Sequence, residues 1–265
     1  NNDEIWDKKL IKVFVIGDSF PHGACMPNNV GGFVDLMKKR EPDLINLSMS
    51  GNGPQLNLAS LIEFIKDKNP EYILWFHYGG NDLSNMMQLK SHKILNKYIY
   101  EDFSQNLIIK TRETEELFKE FFTNKFVYPK KQDERFRARI NLQHLFKLYY
   151  LRTRLGMAIP NLDSEMFNYF KDIMSKAKNE SGKLGAKLIF INIPPVERIK
   201  KPNNIIEKET LKVIKDLNIE LYDLKEHMKL KNNPEKFYTY GLKGGHFNFE
   251  GNRYIAEYIL EKVLK

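Results

Sequence analysis

Five short apolar runs recur along this chain with helical patterns between most of them, and no other feature narrows its fold as far. They cover residues 13–16, 45–47, 72–77, 187–193 and 220–224, and are rich in β-branched and aromatic residues. Runs this short and continuously apolar read as strands covered on both faces, since a half-exposed strand would alternate polar and apolar positions. Helical patterns at 32–40 and 56–66 follow the first two runs, and others at 164–179 and 205–217 precede the last two. Ser164 is placed as the N-cap of its helix. A final pattern at 250–264 sets Ile255, Tyr258, Ile259 and Val263 on one stripe. Strands alternating with helices imply a parallel sheet between two helical layers, because right-handed crossovers place helices on both faces. The expected fold class is therefore α/β, a three-layer α/β/α sandwich on a five-stranded parallel sheet.

The stretch from about 83 to 162 departs from this rhythm. It is too long for a crossover and carries helical patterns of its own, so it reads as a helical insertion between strands 3 and 4 of a single domain spanning 1–265. Within it, Leu142, Leu145, Phe146, Tyr149 and Leu155 form an apolar stripe at helical spacing. The stripe suits a helix packed on the main domain, or a lid. A basic run of Lys130, Lys131, Arg135, Arg137 and Arg139 reads as a solvated face, or as contacts to an anionic substrate.

The formal net charge of +8 suits a lysine-rich surface and would also favour an anionic glycan or membrane. No nucleic-acid motif or zinc spacing accompanies it, so nucleic acid is not expected as a partner. No apolar run approaches the roughly 20 residues of a membrane helix. Residues 1–9 are too polar for a secretory signal, which leaves membrane association to an upstream segment or to the basic insertion. A single cysteine, Cys25, rules out an internal disulfide, and as a lone cysteine it reads as a small buried hydrophobe. A bacterial periplasm or cell envelope is favoured over the cytoplasm as its location. The oligomeric state is left open.

In an open parallel sheet, active sites form beyond the carboxyl ends of the strands. Polar residues gather there in four places: Gly17-Asp18-Ser19, Ser48 to Gly53, Gly79-Gly80-Asn81-Asp82, and Gly244 to Asn248 ahead of the last helix. Together they hold the parts of an acyl-transfer site. Ser19 stands at a strand-to-helix turn, where a helix N-terminus favours developing negative charge. A serine hydroxyl needs a base within hydrogen-bond reach, and His246 has a suitable near-neutral pKa. The backbone N–H groups of Ser19 and Gly51 and the amide of Asn81 are the expected oxyanion-hole donors. Asp18 and Asp82 read as structural, tying their turns. Asn52 reads as a turn former or pocket residue, His22 as a pocket or surface residue, and His77 as a core histidine. No metal or organic cofactor is implied.

On Gly17-Asp18-Ser19, Gly51, Gly79-x-Asn81-Asp82 and His246, in that order, the chain resembles the SGNH, or GDSL, hydrolase superfamily. The motifs cover roughly 11–82 and 187–264 but not the insertion. The resemblance implies the flavodoxin-like sandwich of those hydrolases and a serine esterase or deacylase working through an acyl-enzyme. More narrowly, Gly-Asp-Ser-Phe-x-His-Gly-Ala-Cys, Gly-Asn-Gly-Pro and Tyr-x-Gly-Asn-Asp-Leu look like SGNH-like proteins of bacterial surface polysaccharides. That would imply an acyl ester, often an acetyl, on a sugar. Two other readings stay open: an O-acyltransferase to a polysaccharide using the same site, and a non-catalytic SGNH-like module that binds a glycan or takes part in assembly.

One departure bears on mechanism. The family usually places an aspartate two or three residues before the histidine, where this chain has Lys243 and Gly244. Lysine cannot accept the imidazole N–H, and its charge would lower the basicity of His246. Either a backbone carbonyl orients His246 as a Ser–His dyad, or a carboxylate such as Asp223 or Glu250 serves, or catalysis is weakened or lost.

Overall fold

The computed structural model describes residues 3–8, 11–27, 30–66, 68–125 and 164–264. Chain contacts divide it into two units, 1–105 with 165–265 and, separately, 106–164. The first unit carries the sheet. After a short helix α1 (Asp3–Trp6) come β1 (Val13–Ile16), the one-turn helix α2 (Ser19–His22) and α3 (Phe33–Lys38). They are followed by β2 (Leu44–Asn46), α4 (Pro54–Phe64), β3 (Tyr72–Tyr78), α5 (Asp82–Gln88) and α6 (Lys93–Tyr100). In the second unit the described residues hold α7 (Thr111–Lys125). The chain then continues through α8 (Ser164–Lys183), β4 (Lys187–Ile193), α9 (Ile205–Asp216), β5 (Glu220–Asp223), α10 (Leu224–Met228) and α11 (Phe249–Lys262).

The five strands pair in the order β2-β1-β3-β4-β5 and every pair is parallel. The expected α/β class and five-stranded parallel sheet are what the structure shows. Its central strands are buried along nearly their whole length, which is why they read as unbroken apolar runs rather than alternating ones. Successive side chains point to opposite faces. Val13, Val15, Leu74, Phe76, Ile189 and Ile191 join Phe33, Val34 and Met37 of α3 and Ile255, Ala256 and Ile259 of α11 in one core. On the other face, His77 and Phe190 meet Phe170 of α8, with ring centroids 5.8 and 6.2 Å from it.

Element ends differ from expectation for local reasons. Helix α4 starts at Pro54 rather than at residue 56, since proline suits the first helical turn, where no N–H is needed. Helix α8 runs four residues past the expected end at 179, to Lys183. The first helical pattern in the sequence starts at 32, yet a one-turn helix at 19–22 precedes it, capped by Asp18, which accepts the Phe20 N–H. The stretch set apart at 83–162 is also divided. Leu83, Met86, Leu95 and Tyr98 are buried within the sheet-bearing unit, whereas 106–164 is the separate one. The apolar stripe from Leu142 to Leu155 and the basic run from Lys130 to Arg139 lie outside the described residues.

Candidate active site

Strand order reverses between β1 and β3, since the chain leaves β1 for β2 on one side and builds β3, β4 and β5 on the other. Such a switch point opens a crevice at the carboxyl ends of the strands. The turns after β1, β2 and β3 all end there. Several bonds bind them together: the Met49 N–H donates to the Gly17 carbonyl (3.2 Å), the Asn46 amide donates to the Pro21 carbonyl (2.7 Å), and the Gln55 amide donates to the Met86 carbonyl (2.6 Å). His22 Nδ1 lies 2.8 Å from Ser50 Oγ, so this exposed histidine bridges the Ser19 and Gly51 turns.

Ser19 is the first residue of α2 and is half-buried. Its Oγ lies 2.7 Å from His246 Nε2 and 3.1 Å from Asp18 Oδ2. Asp18 is buried, and its other oxygen accepts the Phe20 N–H at 3.1 Å. Serine has one proton and two acceptors, so the tautomer of His246 decides which of them receives it.

His246 comes from the far end of the chain, on a tight loop held from three sides. The Thr239 N–H and hydroxyl donate to the His246 carbonyl at 2.9 and 2.8 Å, and Tyr238 forms an antiparallel bridge with Phe247. Gly244 and Gly245 take φ of 86° and 89°, which only glycine adopts readily, and the loop needs both to fold back. The buried Asn252 of α11 then ties the loop to α3. Its Nδ2 donates to the Phe247 carbonyl (2.9 Å) and its Oδ1 accepts the Phe33 N–H (2.8 Å). The imidazole stands against the Phe20 ring, with centroids 4.9 Å apart. Burial lowers its pKa below the ordinary histidine value, against the Asp18 carboxylate, which raises it.

The second nitrogen settles which group faces the imidazole where a Ser–His–Asp site has its aspartate. His246 Nδ1 lies 3.2 Å from Cys25 Sγ. Neither carboxylate suggested by the sequence is placed there. Asp223 caps α10, accepting the Lys225 N–H and the Asn192 amide, because it ends β5 beside β4. Glu250 pairs with Lys236 at 3.0 Å on the surface. Lys243 is exposed in a 3-10 turn at Gly241–Lys243, and the groups that move the His246 pKa are burial and Asp18. Cys25 itself corrects the reading of a buried hydrophobe. It is exposed, with a left-handed φ of 69°, because α2 stops after one turn at Gly23 and the chain doubles back toward His246. The signal that could have found it was its place six residues after Ser19, in a turn too short to bury it.

The expected oxyanion donors follow β1, β2 and β3 at the carboxyl edge of the sheet. Gly51 has φ of 87°, and a side chain built there would meet nothing within 4 Å. Glycine is thus required by the backbone angle, and the space above it is open. Asn81 occupies the N-cap of α5 without capping it, although asparagine is a preferred capping residue. Its Oδ1 is buried with no hydrogen-bond partner among the described residues. Asn52 is half-buried, with its N–H donating to the Met49 carbonyl in the turn. Beneath Asn81 lies a pair the sequence left as structural: Asp82, fully buried, has Oδ2 at 3.3 Å from His77 Nδ1 and accepts the Tyr78 N–H at 3.0 Å. Burial pushes the Asp82 carboxyl up to about 6, against the lowering effect of His77. Tyr78, which the sequence offers only as the first residue of Tyr-x-Gly-Asn-Asp-Leu and without a role, packs its ring on Phe20 at 4.5 Å, and burial raises its hydroxyl to about 12.

No protein-family model matches the chain, and no curated protein matches it in sequence. Solved structures do resemble it. An acetyl xylan esterase superposes with a TM-score of 0.53 at 18% identity, covering 96% of this chain and 100% of that one. A lipase/acylhydrolase from Enterococcus faecalis gives 0.48 at 17% identity, covering 95% of each chain. A GDSL-like lipase from Bacteroides thetaiotaomicron gives 0.48 at 13% identity, covering 98% of this chain and 89% of that one. The likeness to the acetyl xylan esterase is one of fold, and the five-stranded parallel sheet with flanking helices is the architecture expected from the sequence.

Proposed function

We propose that this chain is a serine ester hydrolase of the SGNH/GDSL type, acting on small acyl esters, acetyl above all, carried by a carbohydrate. The observation that carries this reading is the 2.7 Å contact between Ser19 Oγ and His246 Nε2, set at the switch point of a parallel sheet. A nucleophile in hydrogen-bond contact with a base is the geometry that covalent acyl transfer needs. The acetyl ester is suggested by the likeness of the motifs to SGNH-like proteins of surface polysaccharides. The open space above Gly51 is consistent with an ester presented on a larger molecule.

The chemistry follows from the residues. Ser19 Oγ attacks the ester carbonyl carbon as its proton passes to His246 Nε2, and the carbonyl electron pair moves onto oxygen. That oxyanion is received by the N–H groups of Ser19 and Gly51 and by the Asn81 amide, each such donor being worth ~3 kcal/mol of barrier. Collapse expels the alcohol oxygen, which takes the proton from Nε2 and leaves an acyl-serine. Water, deprotonated by the same nitrogen, reverses the sequence and frees the acid.

The test is hydrolysis of p-nitrophenyl acetate by the full chain beside Ser19→Ala, followed by acetate release from O-acetylated oligosaccharides. Turnover that disappears in the variant is expected. Equal rates in both proteins would remove Ser19 from the chemistry and the esterase reading with it.

A further inference from the structure

The base of a Ser–His pair works only in one tautomer. A neutral imidazole carries one proton. On Nε2 that proton points at Ser19 Oγ, and the ring cannot accept the serine proton. On Nδ1 it leaves the Nε2 lone pair facing the hydroxyl. The second arrangement needs an acceptor at Nδ1, which in a Ser–His–Asp site is a carboxylate that also steadies the imidazolium as it forms. In this chain the group at that nitrogen is a sulfur. Among the described residues, the charged or titratable groups that touch this pair or move the His246 pKa are Asp18 on the Ser19 side and Cys25 at Nδ1, while Lys243 on the same loop as His246 is exposed.

We infer that Cys25 is the positioning residue of this site, its Sγ accepting the Nδ1–H of His246 at 3.2 Å and so presenting Nε2 as a base to Ser19. The inference rests on the esterase reading for its kinetic consequences, though not for its geometry. Sulfur is a weak but polarizable acceptor, and three features put it to that use. The thiol meets the nitrogen opposite the one that meets Ser19, so all three side chains lie on one hydrogen-bonded path. The backbone at Cys25 takes a φ of 69°, a left-handed angle, and in that conformation the side chain reaches the imidazole. The two carboxylates otherwise available are engaged elsewhere, Asp223 with Lys225 and Asn192, Glu250 with Lys236. No covalent change occurs at Cys25. The proton that moves in each step is that of Ser19, or later of water, and it travels to and from Nε2 alone.

Cys25→Ala, Cys25→Ser and Cys25→Asp variants of the full chain, with thermal melting to confirm folding, test this. Alanine keeps the backbone demand and removes the acceptor. Aspartate tolerates a left-handed φ and restores an acceptor of the usual kind. For p-nitrophenyl acetate, kcat is expected to fall about tenfold or more in Cys25→Ala with KM little changed. Cys25→Asp is expected to recover the rate and to move the acidic limb of the pH profile upward, because a carboxylate favours the imidazolium. A Cys25→Ala variant that keeps kcat within about twofold, with the same acidic limb, would overturn the assignment.

A second readout does not depend on turnover. Proton–nitrogen correlation spectra of the imidazoles are expected to show His246 protonated at Nδ1 in the native chain, and that preference reduced in Cys25→Ala. A native proton on Nε2, or an identical tautomer in both proteins, would also overturn the proposal. If the native chain hydrolyses no ester, the esterase reading fails by itself, and the spectra still decide what Cys25 does.

Discussion

Replacing Asn252 with alanine should weaken the fold and the site together. Asn252 is buried at 2% exposure and joins α11 to α3 and to the His246 loop. The substitution deprives the Phe33 N–H, the first of α3, of its acceptor, and the Phe247 carbonyl of its donor. The Asn248 carbonyl keeps the Asn252 backbone N–H as a partner, so it counts for little. Two buried backbone groups left unpaired cost ~1–3 kcal/mol each, giving a loss of ~2–6 kcal/mol. At ~2–4 °C per kcal/mol for a domain of this size, melting should fall by about 10 °C. Because the Phe247 carbonyl adjoins His246, ester hydrolysis should fall several-fold while the protein is still folded. Urea unfolding with linear extrapolation gives the first quantity, and kcat at 20 °C below the variant's melting point gives the second. A stability loss under ~1 kcal/mol with unchanged kcat would show that neither the α3 N-terminus nor the His246 loop depends on this side chain, and would refute the reasoning.

Other outcomes follow from the same geometry. Gly51→Ala should cost ~1–2 kcal/mol of stability by urea unfolding, since its φ of 87° strains any Cβ while no atom lies within 4 Å to clash with it. A loss well above that would mean crowding rather than strain. The acidic limb of kcat/KM should have its midpoint below the ordinary histidine value of 6.5, because burial lowers the His246 pKa and activity needs the neutral base; a midpoint above 6.5 in the pH profile would contradict this. The native Asp82 carboxyl titrates near 6 against an ordinary 3.8, so it holds its proton to higher pH than in the unfolded chain. Its contribution to stability is therefore present at low pH and lost as pH rises from about 4 to about 6. Asp82→Asn should gain stability relative to the native protein over that window, and a pH-independent difference in urea midpoints would refute it.

The amino-acid sequence by itself determined the layers and the two ends of the site. Continuous apolar strands such as 187–193 can only be covered on both faces, and Ser19 is set at a strand end by the residues beside it, so both were legible along the chain. The meeting of Ser19 with His246, 227 positions apart, could be anticipated only through the order of the motifs. What stands at His246 Nδ1 left only a faint trace, the place of Cys25 six residues after Ser19. Local pattern pointed to the residues before the histidine and to carboxylates at other strand ends. Tertiary structure instead brought Cys25 there, through a helix that ends after one turn and a loop held by Asn252, Thr239 and two left-handed glycines. Period and propensity act over a few residues, whereas the partner of a side chain is chosen by how distant turns pack, and that choice belongs to the folded chain alone.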